Sequence, residues 1–255
     1  MWIYGHRGAP ATLPENTMAS FEEALRVGAD AIETDIRVSS DGKVVVFHDA
    51  DASRLVGHSR SVESSSWSEI ADWDLGYAYQ DGSGGRPFVG KGIHAPLLDE
   101  VLSAFPTTRL NIDIKDGTDR AIQATVEVLR SAGAEERVLL TSFHTRARQR
   151  LIDLGYRGPL GFGIGQVLAL RLAPSLLLKI GRRTGDRIQI PVKQAGVRFG
   201  NRAFIKKMHA LGIAVDFWTI NDVQRARELI GLGADGIITD DPQRIGEALR
   251  APKAV

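Results

Sequence analysis

The chain has 255 residues, 43% hydrophobic and 25% charged, a length that suits one β/α barrel of about 250 residues or two smaller domains. Its 32 basic and 31 acidic residues are scattered and leave a formal net charge of +1, which excludes the basic face that duplex nucleic acid requires. There is no cysteine, so disulfides, thiolate metal sites and cysteine nucleophiles are excluded too, in keeping with a reducing compartment.

Read from the start, the β-rich run 2–5 leads straight into His6 and Arg7, with no basic n-region or apolar h-region of a secretory signal, so the expectation is a cytoplasmic protein. Further β-rich runs fall at 31–37, 109–114, 138–142, 160–164, 187–192, 214–220 and 236–239. Between them, segments 16–27, 119–132, 145–154, 201–211 and 222–232 carry apolar residues at helical spacing. Gly28, Gly133, Gly155, Gly212 and Gly233 follow these segments where a helix C-cap is expected. Strands alternating with helices predict a parallel sheet. Eight strands predict its closure into a (β/α)8 TIM barrel, a single domain over residues 1–255.

Three stretches lie outside the repeat. Asp41-Gly42 predicts a tight turn after the second strand, so that residues 44–47 fold back and carry His48 toward the end of that strand. Residues 50–97, rich in Ser and Gly, are too long for a bare loop and predict a small insertion over the active face. The stretch 165–185, apolar and basic together, predicts a helical insertion; a surface helix packed on the barrel is the first reading and membrane-surface contact the second. No window reaches the run of about 18 apolar residues expected of a membrane span.

Working groups of such barrels sit at the C-terminal ends of the strands. Glu33 and Asp35, two apart in a strand, share a face, and Ile32 and Ile36 take the opposite one, where helices must pack. Two acids inside a barrel repel and are costly to desolvate, so a cation resolves them, and Asp113 on the next strand adds a third oxygen ligand suited to Mg²⁺ or Ca²⁺. Arg7 and Lys115, beside these acids, make a site for phosphate oxygens. His6 and His48 each end a β-rich run, and two imidazoles can act as general base and general acid. Asn16 reads as a cap of the first helix or a site residue, Glu15 as a loop residue near the site, and Trp218 as core or pocket. His58, His94, His144 and His209 carry no assigned role.

The strings His6-Arg7-Gly8, Pro14-Glu15-Asn16-Thr17, Glu33-Thr34-Asp35, Asp41-Gly42 and His48-Asp49, in this order, resemble the glycerophosphodiester phosphodiesterase family. The likeness continues through Leu97 to Leu102, Ser142-Phe143, Trp218-Thr219-Ile220-Asn221 and Gly236 to Asp240. The resemblance implies a β/α barrel that hydrolyses a glycerophosphodiester to glycerol 3-phosphate and an alcohol with one divalent cation, Mg²⁺ or Ca²⁺. It places Glu33, Asp35 and Asp113 on the metal, His6 and His48 as the acid-base pair, Arg7 and Lys115 on phosphate, and Trp218 in the substrate pocket. Where the family commonly has glutamate this chain has Asp113, in an Asp-x-Lys pattern like that of sphingomyelinase D enzymes. The attacking group is either the glycerol 2-hydroxyl or water. The alternatives are a lysophospholipase D or sphingomyelinase D-like lipid phosphodiesterase and, from another class, a catalytically silent barrel that binds a phosphorylated metabolite.

Overall fold

The computed structural model describes residues 1–144, 146–172, 187–194 and 196–251. It begins with β1 (Trp2–His6), α1 (Met18–Arg26), β2 (Ala31–Val38) and a short β3 (Val44–Val46). Two single-turn helices follow, α2 (Ser53–Val56) and α3 (Trp67–Ile70), then α4 (Leu98–Ala104), β4 (Arg109–Ile114) and α5 (Asp119–Ser131). Next come β5 (Val138–Thr141), α6 (Ala147–Asp153), α7 (Ile164–Leu172), β6 (Arg187–Pro191) and the small pair β7 (Lys193–Gln194) and β8 (Val197–Arg198). The chain closes with α8 (Arg202–Ala210), β9 (Ala214–Trp218), α9 (Val223–Leu232), β10 (Gly236–Thr239) and α10 (Pro242–Arg250).

The main strands run parallel in the order β5-β4-β2-β1-β10-β9-β6, so sheet order follows chain order around a curled sheet. Leu160 bridges Leu140, and Gly161 bridges Arg187, so this two-residue segment links β5 to β6. The fold is TIM-barrel-like. The expected strand 160–164 is corrected here: only Leu160 and Gly161 bridge, and Ile164 already opens α7. Gly161 lies against Thr141, where an added Cβ would stand 2.3 Å from the threonine methyl, so close approach replaces a regular ladder. Of the expected 165–185 stretch, α7 supplies helix as far as Leu172, with Val167 buried against Ile188, Ile190 and Phe199; residues 173–186 lie outside the described residues.

Alternation along the strands divides the molecule into an outer apolar shell and a polar interior. Ile32 and Ile36 pack with Phe21, Leu98, Ile112 and Ile122 under the helices, as the sequence predicts, while Val215 and Phe217 join Ile205, Met208 and Leu229 on the other side. The helices start where side chains satisfy their first N–H groups: Thr17, Thr118, Asn201, Asp222 and Asp241 each accept from the residue three positions on. Thr17, and not Asn16, therefore caps α1. The helices α1 and α9 stop at Gly28 and Gly233, at φ 95° and 108°, which a residue with a Cβ adopts only under strain.

The turn at 39–43 is a hairpin as expected. Ser39 and Lys43 close it, Gly42 takes φ 85°, and Val38, Arg37 and Ile36 pair antiparallel with Val44, Val45 and Val46. The N–H of Phe47 then donates to the Asp35 carbonyl at 3.0 Å, which brings His48 back beside β2. Residues 52–75 and 93–97 gather around a separate apolar cluster of Val45, Phe47, Leu55, Ile70, Trp73 and Leu75.

Inside the ring, away from the strand ends that carry His6 and Asp35, Asp216 is fully buried. Arg187 grips it with Nε and Nη2 at 2.6 and 2.5 Å, and the Tyr4 hydroxyl donates to it at 3.3 Å. A buried carboxylate that loses its cation is left uncompensated, so Arg187→Met should cost about 3–5 kcal/mol in chemical denaturation, and Arg187→Met/Asp216→Leu should recover part of that loss. A double variant no more stable than the single one would mean that the pair does not set the cost.

Candidate active site

His6 ends β1 and lies in register with Glu33 of β2, Glu33 with Asn111 of β4, and Asp35 with Asp113. Because alternate residues share a face, these side chains turn into one cavity of ≈ 210 Å³. Arg7 enters it from the loop after β1, Lys115 from just past β4, His48 from the hairpin and Trp218 from the end of β9. Every site residue expected from the sequence lines this cavity.

Two of the three acids, Asp35 and Asp113, are paired with cations from within the chain. Lys115 Nζ stands 2.8 Å from Asp35 Oδ1 and 2.6 Å from Asp113 Oδ2, and Arg7 Nε lies 3.0 Å from Asp35 Oδ2. As they stand, the two cations expected on phosphate are engaged by carboxylates, and among the described residues no three His, Asp or Glu side chains form a metal cluster. Burial alone would raise the pKa of Asp35, but Lys115 and Arg7 hold it below the usual carboxylate range. Glu33 has the opposite balance: burial, reinforced by the Asp35 charge, pushes it up to about 7. The buried Oδ1 of Asn111, 2% exposed as a residue, has no hydrogen-bond partner among the described residues.

Each imidazole is backed by a carboxylate. His6 Nδ1 lies 2.6 Å from Asp240 Oδ1, and Asp240 is itself held by Asn221 Nδ2 at 2.6 Å. His48 Nδ1 lies 2.6 Å from Asp49 Oδ1. A carboxylate on Nδ1 favours the tautomer that leaves Nε2 free for a reacting group. Their protonation differs. Burial draws the His6 pKa down, but Asp240 and Glu33 more than offset it and leave the group above 6.5. For His48, burial prevails, with Lys115 and Arg7 adding to it against Asp35 and Asp49, and leaves the group below 6.5.

The loop after β1 is under local strain. Arg7 and Asn16 both take φ 56°, uncommon for residues with a side chain. Asn16 is fully buried; its amide donates to Asp35 Oδ2 at 3.1 Å and its carbonyl accepts from the Thr34 hydroxyl at 2.8 Å. It does not line the cavity, but its two bonds hold the acid and the loop together. Glu15 accepts from Arg7 Nη1 at 2.8 Å and from Arg54 through both oxygens. The opposite wall of the cavity is apolar, with Phe143, Phe162, Ile164, Val167, Pro191 and Trp218, and the rings of Phe143 and Trp218 meet edge to face at 6.1 Å.

Sequence reasoning gave no role to Asp240, Asp49, Arg54 or Asn111, and of the apolar wall it named only Trp218 for the pocket. The signals that could have found the two acids were position, since Asp49 adjoins His48 and Asp240 ends the last strand, and their place in the strings that carry the family resemblance.

Comparison with known proteins points one way. The model of the glycerophosphoryl diester phosphodiesterase family matches residues 6–244. A Mycobacterium tuberculosis protein called probable glycerophosphodiester phosphodiesterase 2 is 34% identical, over 96% of this chain and 89% of its own length. The human lysophospholipase D GDPD1 is 27% identical, over 96% of this chain and 84% of its own. The crystal structure of a putative glycerophosphoryl diester phosphodiesterase from Silicibacter pomeroyi superposes with TM-score 0.80 at 23% identity, covering 98% of this chain and 92% of that one. An Oleispira antarctica phosphodiesterase, solved with the product sn-glycerol-3-phosphate, gives TM-score 0.76 at 24% identity, covering 98% and 97%.

The raised pKa of Glu33 has a consequence for stability. A folded-state pKa above the unfolded value of 4.5 means the native state holds the proton more tightly; that contribution is full below about pH 4.5 and is lost as pH rises through about 7. In chelator, Glu33→Gln should therefore raise the melting temperature near pH 8 and change it little near pH 5. Equal effects at both pH values would show that Glu33 ionises freely.

Proposed function

The chain belongs to the glycerophosphoryl diester phosphodiesterase family and is a phosphoric diester hydrolase, and from that premise we propose that it cleaves glycerophosphodiesters at the cavity described above, with His6 and His48 moving the protons and one divalent cation held by Glu33, Asp35 and Asp113. The observation that carries this reading is the pair of imidazoles, each backed by a carboxylate, opening on a cavity shared with three acids and two cations. We read residues 1–255 as one barrel domain in which residues 50–97 form an insertion next to this face.

His48, its pKa lowered, is suited to take the proton from the attacking group, and His6, its pKa raised, to give one to the leaving alcohol oxygen; attack by water gives the products directly, and attack by the glycerol 2-hydroxyl gives a cyclic phosphate that one water then opens. Asp49 and Asp240 hold the rings and stabilise whichever is charged. Arg7 offers phosphate a planar fork and Lys115 a point charge. The products are glycerol 3-phosphate, the molecule bound in the Oleispira relative, and an alcohol.

The donor set fits a hard divalent cation. Three carboxylates and the unpartnered Asn111 Oδ1 offer oxygen only, and burial, with the Asp35 charge, raises the Glu33 pKa to about 7, a cost that a bound cation would relieve. Bound there, Mg²⁺ or Ca²⁺ would neutralise charge that builds up on the phosphate oxygens.

The apolar wall favours a second reading. An acylated substrate, such as the relative named lysophospholipase D suggests, would lay its chain along Phe143, Phe162 and Val167. Turnover of glycerophosphocholine and of its acylated relative, with Mg²⁺, Ca²⁺ or chelator, separates the two: release of glycerol 3-phosphate that chelator abolishes is expected, and faster cleavage of the acylated compound would transfer the assignment. His6→Ala and His48→Ala should each lower kcat about 10²-fold or more while cation binding, followed by calorimetry, persists. Near-wild-type turnover in either variant would remove that histidine from the proposed chemistry.

A further inference from the structure

Outside the cavity, Arg54 at the start of α2 joins the two loops that deliver His48 and Arg7. Its Nε donates to Asp49 Oδ2 at 2.6 Å, and its Nη1 and Nη2 donate to Glu15 Oε2 and Oε1 at 2.8 and 2.7 Å. Asp49 is the carboxylate on His48 Nδ1, and Glu15 is the carboxylate on Arg7 Nη1. A continuous chain of contacts therefore runs from the His48 imidazole through Asp49, Arg54 and Glu15 to Arg7.

An arginine 47% exposed is ordinarily a solvated surface group, and an isolated exposed ion pair contributes little. Arg54 differs in geometry. Its planar fork meets Glu15 with two bonds while the third nitrogen holds Asp49, an arrangement that lysine cannot reproduce. The segment it braces also needs bracing: the loop that carries Glu15 begins and ends at residues with φ 56°.

We propose that Arg54 is a positioning residue for the hydrolase reaction, holding Asp49 against His48 and Glu15 against Arg7, so that one side chain outside the cavity sets both the proton-transfer ring and the phosphate-binding fork. The inference rests on the reaction assigned under Proposed function, and a readout that needs no turnover keeps the two apart. Misplacing a reacting group by about 1 Å costs on the order of 10²-fold in rate, so Arg54→Ala should lower kcat about 10- to 100-fold and raise KM through Arg7. Millimolar guanidinium should restore a large part of the lost rate, equal sodium chloride none, and Arg54→Lys little. Arg60→Ala, at an exposed arginine of the same region whose nearest acid Glu69 is 3.8 Å away, should match wild type.

In the resting protein, the ring nitrogen resonances of His48 in ¹⁵N-labelled protein should shift in Arg54→Ala, while those of His6, held by Asp240, should not. The proposal is overturned if His48 resonances stay in place, or if His6 moves equally. It is also overturned if Arg54→Ala keeps kcat and KM within twofold of wild type, or if its loss follows thermal stability and guanidinium restores none of it. An inactive wild type would overturn the assigned reaction, and the His48 resonances would still decide the role of Arg54.

Discussion

The constraint on which the molecule turns is the placement of Glu33 and Asp35 on one face of a strand inside a ring. Their charges cannot both be left bare at positions as buried as these. Asp35 is matched by Arg7 and Lys115 and its pKa stays low, whereas burial and the Asp35 charge push that of Glu33 up to about 7. Around this imbalance the rest is arranged: Asn16 bonded to Asp35, Asp113 in register with it, and His6 in register with Glu33.

Barrel architecture makes such a cluster tolerable. Two large apolar clusters lie outside the strands under the helices, and inside them the apolar cluster of Tyr4, Ala31 and Ile238 is small, which leaves room there for polar groups. At one level, Arg187 and Asp216 make a closed pair; at the other, three acids meet two cations and two imidazoles. The first arrangement has its charges matched, whereas the second sets three acids against two cations, an excess that the proposed divalent cation would neutralise so that a phosphate could enter.

Much of this was legible in the sequence because the strand period of two is rigid. Knowing that Ile32 and Ile36 face helices fixes where Glu33 and Asp35 point, and Asp41-Gly42 fixes the return of His48. The misread strand at 160–164 has a physical cause: a short apolar run with two glycines is compatible with strand and helix, and packing against Thr141 allows only a two-residue bridge before α7 begins. Asn16 and Thr17 are both good caps, and only the tertiary bond to Asp35 ties Asn16 to the site. The links through Asp240, Asp49, Glu15 and Arg54 join residues from different loops, a kind of proximity that periodicity does not encode.

The acids and the imidazoles are proposed to serve one reacting phosphate. A crystal structure of the protein with glycerol 3-phosphate and a divalent cation tests this directly. The account predicts the cation among the oxygens of Glu33, Asp35 and Asp113, with the phosphate between it and the two imidazole Nε2 atoms and contacted by Arg7 and Lys115. Phosphate bound away from His6 and His48, or a cation on other residues with the Lys115 bridge to Asp35 and Asp113 intact, would contradict it.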